Sequence, residues 1–401
     1  MRNIISIMVF LAIANMTIGQ SNNDFDVYWN NSLVVESKTG NFKIKFGGRI
    51  QTDLMFIDQS NSLDNLFDAK NGVELRRARI FTSGTLYKNL KFKFQVDFAG
   101  GNAVIKDAYL QYTMIPYLGN IKIGNFKEPE GFAMLTSSKN LTMMERPLGN
   151  VFDNDRNIGV MLNNQLMDKR LSWYAGYFFP TDNTGKYLGN KYNVALRLAG
   201  LPIYNTESKY KVLHLGFGYV YQNNDDEELN YSVRPEAHLA PKYLKISLPT
   251  VNNIQYMNTE FLFIYNSFSI ESEYTRALIT RDNDSIFSET SYNAFSYNVT
   301  LSWFATGEHK NYVKSKTTFG TLKPKKNLGD DGGFGALEFA LRYSQINMDD
   351  SDLNGGVISD LTAGINWYLN PSTMVMFNYI YSDIKNLGNA NIFQMRFQIV
   401  F

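Results

Sequence analysis

Apolar and polar residues alternate along almost the whole chain. Over residues 42–56, Phe42, Ile44, Phe46, Ile50, Leu54 and Phe56 share one face of an extended chain, and Lys43, Lys45, Arg49, Gln51 and Asp53 share the other. Over 90–98, Phe92, Phe94, Val96 and Phe98 alternate with Lys91, Lys93, Gln95 and Asp97. A period of two marks a strand with one apolar and one polar face. The pattern returns near 73–87, 104–115, 119–126, 157–164, 170–180, 190–201, 210–222, 229–239, 257–266, 267–280, 291–305, 334–347, 357–369, 373–383 and 390–401. About 17 segments are expected on this reading; closed single-chain barrels carry even numbers, so 16 strands are predicted, or 18, with one segment split, invented or missed. Beyond residue 19, helical periodicity is confined to 130–145.

The connections are of two kinds. Lys88-Asn89, Asn266-Ser267 and Asn370-Pro371-Ser372 are tight, whereas 58–72, 127–156, 222–229, 281–290, 306–333 and 347–356 are long and polar. Tight turns at one end and long loops at the other is the arrangement of barrels that cross an outer membrane. Lipid leaves no backbone N–H or C=O a partner outside the protein, so a spanning sheet must close on itself. A closed sheet of this size is wide enough for an aqueous lumen. Its polar face, rich in long charged side chains, then meets water, and its apolar face meets lipid. The last strand, Phe393-x-Met395-x-Phe397-x-Ile399-x-Phe401, ends on an aromatic, as such barrels commonly do.

Composition fits this picture. Tyr and Phe number 25 and 29, and aromatic residues make up 14% of the 401 residues, which favours strands and membrane interfaces. The 39 Lys and Arg nearly balance the 38 Asp and Glu, without the basic excess of a nucleic-acid binder. With no Cys, the chain has no disulfide, no thiolate metal site and no lipid attached through cysteine. Arg2, the apolar stretch Ile4–Ala14 and the small residues Thr17 and Gly19 read as a secretory signal over 1–19, cleaved before Gln20. Residues 20–401 then form one all-β, transmembrane antiparallel barrel domain, exported to the bacterial outer membrane.

Several segments resemble the phosphate-selective porin O and P family. They are NFKIKFGGRIQTD, VELRRARIFTSGTLYKNLKFKFQVDFA, IKDAYLQY, IKIGNFKEPEGF, ERPLGNVFDNDRNIGVML and GALEFALRYSQINMDD, in the family's order and spanning most of 27–401. The resemblance implies a homotrimeric 16-stranded porin embedded in outer-membrane lipid. It implies a third loop folded into the lumen and basic residues on the inner wall that draw anions. Small hydrophilic solutes would diffuse through it, anions preferentially, phosphate or polyphosphate among them. No catalytic residue, cofactor or metal is implied.

Selectivity in such a pore arises from charges at the constriction and along the wall. Arg77 and Arg79 share a polar face, Lys91 and Lys93 follow on the next strand, and Arg49 and Lys122 sit opposite apolar neighbours, as do Arg197, Arg342 and Arg396. The third loop, 127–156, supplies Lys127, Lys139, Arg146 and Arg156, and Arg146 and Arg156 are the first candidates for the constriction. A guanidinium offers a fixed fork of donors suited to phosphate or carboxylate oxygens. Asp53, Asp97, Asp107, Glu271, Glu273 and Glu338 are read as facing inward too, which would give the crossed field of a general, non-selective porin. Lys314, Lys316, Lys323, Lys325 and Lys326 could gather anions near a mouth. Two rivals stay open: a receptor or adhesin acting through its long loops, and, from the spacing of His214 and His238, a wall-mounted hydrolase.

Overall fold

The computed structural model describes residues 24–207, 209–282 and 289–401; the segment read as a signal lies outside them. Among the described residues there are twenty strands. The first ten are β1 (Phe25–Trp29), β2 (Leu33–Ser37), β3 (Phe42–Gln59), β4 (Gly72–Leu86), β5 (Leu90–Asp97), β6 (Val104–Ile115), β7 (Gly119–Lys127), β8 (Arg156–Leu166), β9 (Leu171–Phe179) and β10 (Tyr192–Asn205). Then follow β11 (Lys211–Val233), β12 (Leu244–Tyr265), β13 (Phe268–Arg281), β14 (Ser291–Phe304), β15 (Tyr312–Val313), β16 (Thr318–Phe319), β17 (Ala336–Asp350), β18 (Leu353–Asn370), β19 (Thr373–Ile384) and β20 (Gly388–Val400).

Strands β3–β14 and β17–β20 pair antiparallel with their sequence neighbours, and β20 closes on β3 from Ala390↔Gln59 to Val400↔Arg49. This is a closed barrel of sixteen strands. Outward positions such as Phe46, Ile50, Leu196, Phe217, Phe393 and Phe397 are exposed, and inward positions such as Gln51, Asp53, Arg197, Glu260, Arg342 and Arg396 are buried. A soluble core is turned inside out. At the seam, Gly48 and Phe401 exchange backbone bonds of 2.6 and 3.1 Å. A Cβ on Gly47 would come within 2.4 Å of the Phe401 carbonyl oxygen, and one on Gly48 within 2.6 Å of its ring. Both positions therefore need glycine.

Segment 210–222 and the start of 229–239, as far as Val233, belong to one strand, β11, which accounts for the odd count. Asp225 and Asp226 adopt positive φ of 57° and 56°, and the register with β12 slips between Asn223 and Glu227, so the acidic tetrad 225–228 is a bulge rather than a loop tip. At 23 and 22 residues, β11 and β12 far exceed the ~10 that cross a membrane. Alternation fades there because those residues have left the apolar layer. Two other expectations change. Segment 347–356 is a two-residue turn between β17 and β18, and 130–145 holds only one helical turn, Phe132–Leu135. The long connection 305–335 lies at the tight-turn end, where it carries the β15–β16 hairpin.

Burial around the wall is uneven. On β13, β14 and β17–β20 the inward residues are almost all buried, alternating with half-buried or exposed outward ones. On β5–β7 and β9 many inward positions are only half-buried. Lumenal segments pack against the first wall and leave room along the second.

Candidate functional site: the constricted lumen

The connection 128–155, the first of three lumenal segments and here called the first loop, runs inside the barrel and is tied to β13, β17, β18, β20 and β3. Glu273 of β13 accepts bonds from the Phe132 and Ala133 amides. Gln51 and Gln398 donate to the Ser138 and Lys139 carbonyls at 3.3 and 3.2 Å. Asn366 donates to the Thr142 carbonyl at 2.7 Å, and the Leu148 amide donates to Ser344 at 3.0 Å. Gly149 passes so close to Ser296 that a Cβ would fall 2.2 Å from its Oγ. The strongest tie is Glu145. Its carboxylate meets Arg76 at 2.8 Å, Arg396 at 2.7 Å and Arg77 at 3.7 Å. Burial opposes its ionisation, but the three guanidinium groups outweigh burial and hold it well below the usual carboxylate range. Arg396 also pairs with Asp53 across the seam at 2.6 Å.

Two further segments enter the lumen. Loop 234–243 lays Glu236 against Arg342 at 3.1 Å, and Arg342 donates in turn to the Glu145 carbonyl at 2.9 Å. From the opposite end, the β15–β16 hairpin reaches up to the first loop. Phe319 meets the Phe132 ring edge-on at 4.9 Å, Arg197 donates to Thr317 at 2.7 Å, and Lys310 pairs with Glu338 at 2.5 Å.

Where these insertions meet the less crowded wall, positive charge accumulates. Lys45 and Arg49 come from β3, Lys93 from β5, Lys122 from β7, Lys139 from the first loop and Lys316 from the hairpin. Among these, Lys93 pairs with Asp107 at 2.5 Å. The others have no acidic oxygen within 4.0 Å among the described residues. Arg49 donates to Ser137 at 3.1 Å, and Lys122 lies 4.2 Å from the Tyr109 ring centroid and 4.6 Å from that of Phe126. Burial, and then the charges of Arg49, Lys316, Lys93 and Lys45, push Lys139 down to about 8. Burial and Lys93 lower Lys316. Across the first loop lies the opposite sign. Burial raises Glu128 to about 7 against bonds from Asn157 and Asn193, and raises Asp153 to about 7 against Arg146 and Lys127.

The residues named from sequence fall into three groups. Arg49, Lys91, Lys93 and Lys122 lie on the less crowded wall, with Lys91 exposed at its turn end. Arg77, Arg79 and Arg156 are inward but engaged: Arg77 with Gln51 and Glu145, Arg79 with Asp97 at 2.6 Å, and Arg156 with Asp107 and Asp155, both at 2.8 Å. Arg146 and Lys127 serve the loop itself. Arg146 donates to the carbonyls of Ala133, Met134 and Thr136, and Lys127 to those of Met134 and Thr136. Of the hairpin lysines, Lys314 pairs with Asp168 at 2.9 Å, while Lys323, Lys325 and Lys326 are exposed at the turn end. Arg76 and Glu145 were missed. Arg76 faces inward because the register slips between Gln51 and Thr52, so two consecutive arginines share a face that strict alternation would divide. His214 bonds Glu260 and Tyr312, and His238 bonds Glu74, so the two rings form no catalytic pair.

The sixteen-stranded barrel has known counterparts. The family model for phosphate-selective porin O and P matches residues 44–401. The chain belongs to this family. It is 24% identical to Porin O of Pseudomonas aeruginosa over 94% of its own length and 91% of that protein. The anion-selective porin from Comamonas acidovorans has the same fold, at 12% identity and TM-score 0.56 over 90% of this chain and 100% of that one. So does the outer-membrane channel DcaP of Acinetobacter baumannii, at 12% identity and TM-score 0.55 over 91% and 99%. The chain is therefore an outer-membrane porin: a channel for passive diffusion of small hydrophilic solutes, and not an enzyme.

Proposed function

We propose that this porin conducts anions in preference to cations along the wall formed by β3–β9. Phosphate and other small oxyanions are the solutes of choice, as the family description suggests. One observation carries the reading: two insertions from opposite ends bring Lys139 and Lys316 to Lys45, Arg49 and Lys93, and among the described residues only Lys93 of these has an acidic partner. Like charges gathered in a confined aqueous space raise the local concentration of counter-ions. A general, non-selective porin is the second reading, favoured by Asp107, Glu128 and Asp153 nearby. The assembly is proposed to be a homotrimer in outer-membrane lipid, with residues 1–19 removed as an export signal. A mass measurement on the membrane-extracted protein checks the cleavage.

Single-channel recording under a KCl gradient tests the central reading. The expected reversal potential is anion-selective, and added phosphate reduces the chloride current. A reversal potential at zero would leave the second reading.

Selectivity is also expected to depend on pH, with a definite sign. Lys139 loses its charge as pH rises through about 8, and Glu128 and Asp153 gain theirs as pH rises through about 7. Both changes make the constriction more negative. Anion preference therefore falls from mildly acidic to alkaline pH, and Lys139→Gln flattens the upper part of the curve. A pH-independent reversal potential in the unaltered protein would contradict these assignments.

A further inference from the structure

The outer wall carries a groove of about 490 Å³ at the turn end of β12–β14 and β17. Its form follows from register. Ile270 on β13 stands between Phe263 on β12 and Leu301 on β14, and Phe268 stands between Tyr265 and Trp303. One place further from the turn, Ser272 lies between Phe261 and Val299. Strands lie ~4.8 Å apart, so β12 and β14 stand about 10 Å apart axis to axis, and the shorter Ile270 and Ser272 between their longer side chains leave a channel narrower than that. It is wide enough for one hydrocarbon chain. The far side is braced by a stack in which Trp303 lies 6.0 Å from the Phe268 ring at 18° and 6.0 Å from the Phe339 ring at 22°.

The rim is basic. Lys209 donates to the Tyr265 hydroxyl at 3.2 Å, and its ammonium lies 5.8 Å from that ring. Lys211 lies 6.0 Å from the Phe263 ring centroid. Lys211 opposes Tyr265 across the β11–β12 ladder, which puts it on the outward face. Two ammonium groups and a hydroxyl thus crown an apolar channel at the level where the barrel leaves the hydrocarbon. A long cationic side chain there lays its stem along apolar surface and its charge among headgroups.

We propose that this groove is a binding site for an anionic phospholipid of the leaflet at the turn end. One acyl chain lies along β13 over Ile270, and the phosphate sits between Lys209 and Lys211. Charge complementarity selects the occupant. The inference rests on the barrel crossing the membrane and is independent of which ions cross the pore.

Trp303 is the reporter. The protein is placed in zwitterionic vesicles containing a small fraction of phosphatidylglycerol with brominated chains, and separately of phosphatidylcholine with the same chains. The Trp303 signal is the difference from Trp303→Phe. Brominated phosphatidylglycerol is expected to quench it far more efficiently than brominated phosphatidylcholine, with each lysine contributing roughly five-fold in relative affinity. Lys209→Gln with Lys211→Gln removes the difference while heat-modifiable migration shows the barrel folded. Equal quenching by both lipids would mean bulk lipid only and overturn the site. A Trp303 signal quenched by neither lipid would mean a protein surface covers the groove, and would overturn it too.

Discussion

Reversing the charge of Lys139 and Lys316 together, as Lys139→Glu with Lys316→Glu, turns this porin from anion-preferring to cation-preferring. Both residues sit outside the barrel strands, and neither has an acidic partner within 4.0 Å among the described residues. The change therefore breaks no ion pair and leaves the wall intact. In a water-filled lumen a unit charge acts on an ion ~6 Å away with about 0.7 kcal/mol. Reversing one charge shifts each ion by about 1.4 kcal/mol, tenfold per residue against the anion and tenfold in favour of the cation. Two such changes exceed any moderate initial preference, so the reversal potential under a salt gradient changes sign. The double Gln variant falls between. High salt weakens the effect, because the charges are screened over a shorter distance. An unchanged reversal potential in the double Glu variant would remove Lys139 and Lys316 from the selectivity region.

Glu145→Gln releases the first loop from the wall. The isosteric amide keeps the shape and loses the charge that Arg76, Arg77 and Arg396 share. Arg77 and Arg396 are 3% and 0% exposed, so they cannot recover hydration in place. Removing one partner from a buried ionic cluster costs about 3–5 kcal/mol. Arg396 keeps Asp53, so the barrel seam survives, and the cost falls on the docking of 128–155. The expected channel is folded, larger in conductance and noisier. Amides that bind the wall, such as Leu148, exchange hydrogen faster. Conductance and exchange like those of the unaltered protein would show that the other ties suffice.

The barrel was legible because its signal is local. Alternation over 42–56 and 90–98 needs only the two-residue period of a strand, and lipid on one face with water on the other keeps the period clean. The reading failed where that environment ends. The tetrad 225–228 broke the pattern because β11 had left the apolar layer, and one strand was read as two. Strict alternation also hid Arg76, because a one-residue slip is invisible without the partner strand.

The site was less legible. Arg146 and Arg156 are adjacent in type and position to what a constriction needs, but the loop turns Arg146 on its own carbonyls, and Asp107 takes Arg156. Glu145, one residue away, is the group that faces the arginines.

The amino-acid sequence alone determined the closed antiparallel barrel, its apolar outside and polar inside, and its place in a membrane. Those properties depend on residue type at a fixed short period. Only the tertiary structure decided which charges stay available. It brought Lys139 and Lys316, some 177 residues apart in the chain, to one wall, and it set Glu145 among three arginines from strands at opposite ends of the sequence. A charge's availability depends on its neighbours across the lumen, and those neighbours exist only once the barrel has closed and the loops have entered it.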